Sequence, residues 1–412
     1  MVGSKMWALG LFALWLFLIP ISVRKGLSLG LAILAAGVGL SIGLGRGLGG
    51  LAQDAWAVSS DVQLLELMAI ITLIYDFSFL LKATRRMEAV AEVLQRKLHD
   101  PRWVMFSVPA LVGLIPMPAG AMFTAPITDE VGKGINASPE DKVFSNYWFR
   151  HCWELGFPLY PGIILCAGLT HSKPGDLTLH LLPLWLTAFG VGMALFWFRT
   201  RNPGDRLSGE TADKNSHSAL AGELPEPTLW ALWPIFLVVG IAVARINLVP
   251  GMAAVILIYA LSERIGIRDF LLYFRRSFNG SILLLIWSVF LFGRVLTTTG
   301  LLELLATSLL GFGLPLICLN FFLPFLMGFL TGVTTGFVGT VFPFLIPFWG
   351  QDATLWLQFA YASGLAGVDL SPAHLCLSMT QEYFKASLKK ILLLILVPVG
   401  AVMIVAWIRL IL

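Results

Sequence analysis

The sequence predicts an all-α polytopic membrane protein of about ten transmembrane helices, arranged as two inverted five-span repeats that each carry a re-entrant helical hairpin. Three observations lead there. The 412 residues are 57% hydrophobic and 13% charged, with a mean hydropathy of +0.83. A water-facing surface needs far more charge, so the long apolar runs read as membrane spans. Two apolar stretches, 103–128 and 314–348, are interrupted by the backbone breakers PMPAGAMFTAP and TGVTTGFVGTVFP. Main chain that turns on Gly and Pro at membrane depth survives only inside protein or beside a water-filled site. Finally, two short elements recur in the same order in both halves of the chain.

With roughly 20 residues needed to cross a ~30 Å core, spans fall near 7–23, 27–46, 62–82, 143–171, 178–198, 229–248, 250–263, 279–298, 352–384 and 388–411. The first lacks a small-residue cleavage site and runs into the second, which marks a retained helix rather than a signal peptide. The hairpins fit after the third and eighth spans. Segments 143–171 and 352–384 are too long for simple crossings and carry central prolines, so each is expected as a broken helix. The resulting organisation is a first repeat at 1–198, a polar cytoplasmic linker at 199–227 and a second repeat at 228–412.

Three basic groups then share one face: Arg24 with Lys25; Lys82, Arg85, Arg86, Arg96, Lys97 and Arg102; and Arg199, Arg201, Arg206 and Lys214. The positive-inside rule makes that face cytoplasmic, with both termini outside the cell (inner or plasma) membrane. The segment 299–313, on the outer face, has no Lys or Arg. The net charge of +4 therefore reports orientation, not nucleic-acid binding. Five spans per half, an odd count, invert the second half. TRRME at 84–88 and TGLLE at 299–303 precede the two hairpins, and GFPLYP at 156–161 matches GVDLSP at 367–372. The hairpin tips are expected to meet near the midplane. Cys152, Cys166, Cys318 and Cys376 show no CxxC or Cys/His ligand spacing, so they are expected as buried thiols rather than disulfides or metal ligands, with no cofactor.

Chemistry concentrates in SNYWFRHCWE at 145–154. Asn146, Arg150 and Glu154 follow at helical spacing, with Tyr147 and His151 on the adjoining stripe. Arg150 would lie about 10 Å inside the cytoplasmic boundary and Glu154 about 16 Å. A charge at that depth costs at least ~3 kcal/mol unless paired or wetted. Two readings follow: an Arg150–Glu154 ion pair locking the bundle, or Arg150 and His151 binding an anionic group while Glu154 or His151 exchanges protons. The hairpin tips, Pro116, Met117, Pro118, Ala119 and Gly120 in one and Gly332, Thr334, Thr335 and Gly336 in the other, let backbone approach a ligand closely. Their half-helix ends suit an anion, and their freed carbonyls a small cation. Small residues also serve plain helix packing. Asp369, beside Ser371, is expected to cap the following half-helix or to bind a cation or proton, with His374 nearby. Asp76 and Arg294 are also intramembrane, and Arg294 is placed to snorkel. His151-x-x-Glu154 has no second copy and no HExxH, and Ser371 with His374 lacks a G-x-S-x-G elbow, so no enzyme is expected.

PMPAGAMFTAPI, NYWFRHCWELGFPLYPG and SPAHLCLSMTQEYFK together resemble the prokaryotic membrane family called domain of unknown function 401, over essentially the whole chain, with NYWFRHxWE the most specific element. The resemblance implies membership of the ion transporter superfamily: inverted repeats, a scaffold and a mobile transport domain, an elevator mechanism and a homodimer. PMPAG and TGVTTG do not match the Ser-Asn-Thr type tips of its sodium-coupled dicarboxylate carriers. The expectation is a secondary active transporter of a small organic anion among membrane lipids, coupled to a proton or sodium ion. The alternatives are a transporter or flippase of a lipid-linked phosphate, or a membrane-embedded enzyme or scaffold.

Overall fold

A computed structural model describes residues 2–116, 120–200, 232–312 and 315–412. Helices α1 (Val2–Arg24), α2 (Leu29–Gly43), α3 (Gly47–Ser59), α4 (Val62–Ala83) and α5 (Arg86–Lys97) lead to α6 (Pro101–Gly113) and α7 (Gly120–Lys133), then α8 (Pro139–His151), α9 (Pro161–Leu169) and α10 (Pro174–Arg199). The second half runs α11 (Trp233–Val243), α12 (Leu248–Ser262), α13 (Ile267–Ser277), α14 (Gly280–Thr298) and α15 (Leu301–Phe312). It continues through α16 (Leu316–Thr331), α17 (Thr334–Leu345), α18 (Ala353–Asp369), α19 (Leu375–Phe384) and α20 (Leu388–Ile411). Among the described residues five helices, α1, α4, α10, α14 and α20, are long and apolar enough to cross a membrane.

Local chemistry sets the starts. Asp61 accepts from the Gln63 amide at 2.8 Å to cap α4, and Asp100 and Ser138 cap α6 and α8, each followed by proline at the first helical position. Ion pairs gather at opposite ends of α10: Asp176, near its start, meets Arg245 at 2.6 Å, and Arg199, at its finish, meets Asp141 at 2.5 Å. At the Arg199 end, Lys142 binds Asp129 at 2.8 Å.

Some packing pairs recur in the two halves. α6 lies against α7 and α8 as α16 lies against α17 and α18; α2 packs on α14 as α12 packs on α4; and α10 packs on α20. The tightest of these junctions, between α16 and α18, needs glycine. A Cβ on Gly367 would sit 2.1 Å from the Phe325 carbonyl oxygen, and one on Gly328 would sit 2.1 Å from that of Gly364. Such small-residue contacts replace the hydrophobic drive that lipid cannot provide between helices.

Segment 143–171 is not one helix. α8 stops at His151, a 3₁₀ turn occupies Cys152–Leu155, and α9 starts at Pro161. Segment 352–384 is likewise interrupted between Asp369 and Leu375. The hydropathy reading treated the stretches holding α3, α5, α13 and α15 as connections, yet they are helices. In α13 the cause is plain: apolar Ile267 and Leu271 alternate with Arg268, Arg275 and Arg276, and the average conceals the helix. Residues 201–231, hence most of the expected linker and the start of the expected span 229–248, lie outside the described residues.

Gly367→Ala is expected to destabilise the protein by about 1–3 kcal/mol, because the clash is with backbone. Gly400→Ala, in α20 with open space around it, is expected to leave stability unchanged or slightly raised. Thermal unfolding of both variants in detergent checks the contrast.

Candidate functional site

α8 is the element that positions the site: every residue from Asp141 to His151 is buried. Gly113 and Gly120 fit the first chain break onto it. A Cβ on Gly113 would lie 2.6 Å from the Arg150 carbonyl oxygen, and one on Gly120 would lie 2.2 Å from Arg150 Nη2. The Tyr160 hydroxyl donates to the Gly113 carbonyl at 2.6 Å, and Trp153 Nε1 to that of Ala110 at 2.7 Å. Asn146 secures the returning arm, accepting from Thr124 at 2.5 Å and donating to the Ala121 carbonyl at 2.8 Å.

The second break reaches the same place from the other half of the chain. Gly332 ends α16 with a φ of 67°, and a Cβ there would lie 2.7 Å from the carbonyl carbon of Ala373. That combination of left-handed backbone and close approach admits only glycine without strain. Thr334, at the start of α17, donates its hydroxyl to Glu154 Oε2. The other carboxylate oxygen, Oε1, is 2.7 Å from His151 Nδ1, and the Tyr361 hydroxyl donates to the Glu154 carbonyl at 3.0 Å. Gly162 lets the start of α9 close on this cluster, since a Cβ there would lie 2.4 Å from Thr334 Cγ2.

The break before α19 completes the ring. Ser371 donates to the Phe329 carbonyl at 2.5 Å and accepts from the Ala373 amide at 3.1 Å. His374 follows as the N-cap residue of α19 without a side-chain capping bond. Its ring stands 4.7 Å from that of His151, nearly perpendicular, and 5.4 Å from Tyr147. Cys376 Sγ lies 4.0 Å from Arg150 Nη1.

These groups surround a cavity of about 270 Å³ walled by Tyr75 and Ile282 on one side and by Pro116, Arg150, His151, Glu154, Gly162, Thr334 and Cys376 on the other. A larger cleft of about 410 Å³ includes Glu66, His171 and Arg245. Its polar groups are already engaged: Glu66 with Asn247 at 2.7 Å, His171 with Gln63 at 2.5 Å and Arg245 with Asp176 at 2.6 Å. It contains no chain break, which makes the smaller cavity the better candidate.

The cavity gathers Arg150, His151, Glu154, Gly332, Thr334, Thr335 and His374, and Gly120 touches the Arg150 head group. Asn146 and Gly336 stand behind the wall, Gly336 packing on Thr331. Met117, Pro118 and Ala119 lie outside the described residues. Glu154 pairs with His151, not with Arg150 as helical spacing had indicated. The tightened 3₁₀ turn after His151 eclipses residues three apart, so 151 faces 154 and the 150–154 register is lost. Asp369 does not cap α19; it is the last residue of α18, accepts from the Tyr147 hydroxyl at 3.1 Å, and stands outside the cavity lining. Asp76 accepts from Ser277 at 3.2 Å, and Arg294 faces Asp54 at 3.6 Å. Tyr75, Tyr160, Tyr361 and Cys376 were not foreseen as site residues. For Cys376 the expectation of an isolated buried thiol is corrected: His374 stands two residues before it, directly after the GVDLSP break, and the two side chains face the same point.

The architecture is that of a multi-pass membrane protein. It is similar to the crystal structure of the Alcanivorax borkumensis YdaH transporter, described as having an unusual topology, with a TM-score of 0.59 and 12% identity over 90% of this chain and 88% of that one. The chain belongs to the family described as Protein of unknown function (DUF401), which matches residues 8–412. Among curated proteins none matches the sequence.

Thr334→Val removes the donor to a buried carboxylate and is expected to cost about 1–3 kcal/mol, read as a lowered melting temperature in detergent. Thr334→Ser, which keeps the hydroxyl, is expected to retain most of the wild-type value.

Proposed function

We propose that the protein is a secondary active transporter of a small organic anion, coupled to protons or another cation and working by elevator-type alternating access. One observation carries the reading. The N-terminal ends of α9, α17 and α19, at Pro161, Thr334 and Leu375, open onto one cavity beside Arg150. Helix N-termini present unpaired N–H groups and the positive end of the dipole, so three of them with a guanidinium favour an anion. The buried His151–Glu154 pair is the candidate carrier of the coupling proton.

The order of helices supports an inverted repeat in which α1–α10 correspond to α11–α20, with α6–α7 and α16–α17 as re-entrant hairpins entering from opposite faces. On this reading α2, α4, α12 and α14 belong to the scaffold. α9 packs on α4 and α17 on α14, whereas α7 and α19 pack on each other and on α8, with no comparable packing on α4 or α14. In the proposed topology α9 and α17 fill the outer half of the membrane and α7 and α19 the inner half. The substrate path is then closed outside and open toward the cytoplasm.

A lipid-linked phosphate fits the same anion site, and exposed Val333 and Leu375 at the rim favour it to that extent. Uptake of radiolabelled organic acids into proteoliposomes, with and without an imposed pH gradient, tests the primary reading. The expected result is gradient-stimulated uptake that Arg150→Ala reduces at least tenfold. Wild-type uptake by Arg150→Ala would remove Arg150 from the site, and movement of a long-chain lipid phosphate alone would favour the second reading.

A further inference from the structure

The side chains of His151, His374 and Cys376 carry a second chemistry that anion binding leaves unused. The geometry points to a site for a divalent borderline-soft metal ion of the zinc class, held by these three residues with its fourth position open to the cavity. It goes beyond the anion reading and does not rest on it.

One ligand atom from each residue lies within 4.8 Å of the other two, and all three side chains are buried. Ligands of a tetrahedral zinc ion, with bonds of about 2.0–2.3 Å, stand roughly 3.5 Å apart, so binding requires closure of about 1 Å. Imidazole and thiolate are the donors such an ion selects over carboxylate and water cages. His374 supplies an independent pointer. It is 7% exposed, and neither ring nitrogen makes a hydrogen bond of normal geometry, its interaction with the Cys376 side chain being looser than that. A buried imidazole left in that state is costly unless a ligand satisfies it.

His151 is arranged for the same task. Its Nδ1 is engaged by Glu154 Oε1 at 2.7 Å, leaving Nε2 toward the cavity. A carboxylate behind a ligating histidine fixes ring orientation and strengthens the ligand, as in many zinc sites. Three protein ligands with one open position is the arrangement of zinc sites that exchange a small molecule. The opposing element is Arg150, whose Nη1 is 3.5 Å from His151 Nε2 and 4.0 Å from Cys376 Sγ. An incoming cation repels this guanidinium, so metal binding shifts it into the cavity, toward any anion that fills the fourth position.

The test is metal titration of tag-free, full-length protein in detergent, with zinc and cobalt(II) salts as probes. The expected result is one ion per chain and a cobalt spectrum with thiolate charge-transfer and intense tetrahedral bands. Cys376→Ser and His374→Ala, checked for monodisperse elution, should each weaken binding at least tenfold and Cys376→Ser should abolish the thiolate band. Glu154→Gln should weaken it about 10–100-fold. Arg150→Gln should bind metal as tightly as wild type or more so even where it fails to take up anions, which separates this inference from the transport reading. Absence of stoichiometric binding, or binding unchanged in both Cys376→Ser and His374→Ala, would overturn it.

Discussion

The Glu154 carboxylate, shared between His151 on one side and Thr334 on the other, is the interaction on which the rest of the centre depends. A carboxylate that is 8% exposed gives up several kcal/mol of hydration, and only close donors on both oxygens offset that loss. Thr334 lies 180 residues from Glu154 along the chain, so satisfying the charge obliges the break before α17 to meet the end of α8. Gly162 is the steric condition for that meeting, and Tyr361, donating to the Glu154 carbonyl, ties the same turn to α18.

Glycine and hydroxyl groups perform complementary parts around this point. Gly113 and Gly120 bring α6 and α7 onto Arg150, and Gly328 and Gly367 bring α16 onto α18. Ser371 then satisfies the Phe329 carbonyl in the last turn of α16, and Asn146 ties the start of α7 to α8, as backbone removed from water requires. The result is a small chamber inside an apolar body, with Arg150 and His151 at the end of α8, Glu154 in the turn after it and backbone N–H groups at helix starts.

Much of this was legible from residue order because membranes impose simple rules. Runs of apolar residues marked α1, α4, α10, α14 and α20, and prolines and glycines marked where helices stop. SNYWFRHCWE stood out because charge inside an apolar span is expensive. Of the two readings it offered, the Arg150–Glu154 ion pair gives way to His151–Glu154 because the helix tightens into a 3₁₀ turn, a change of pitch that residue types alone do not announce. α13 escaped notice because its arginines cancel its apolar face in any average. The grouping of Cys376 with His151 was invisible for another reason: their contact spans 225 residues, and no spacing rule connects them. Asp369 looked like a cap from its neighbours, but Tyr147, far away in the chain, claims its carboxylate.

An experimental density map of the protein in lipid nanodiscs tests the central claim most directly. The account predicts non-helical main chain at 114–116 and at 332–333, both within side-chain reach of Arg150 and Glu154 at half the membrane depth. Unbroken helices through 101–133 and 316–345, or Gly120 and Thr334 at opposite surfaces, would contradict it.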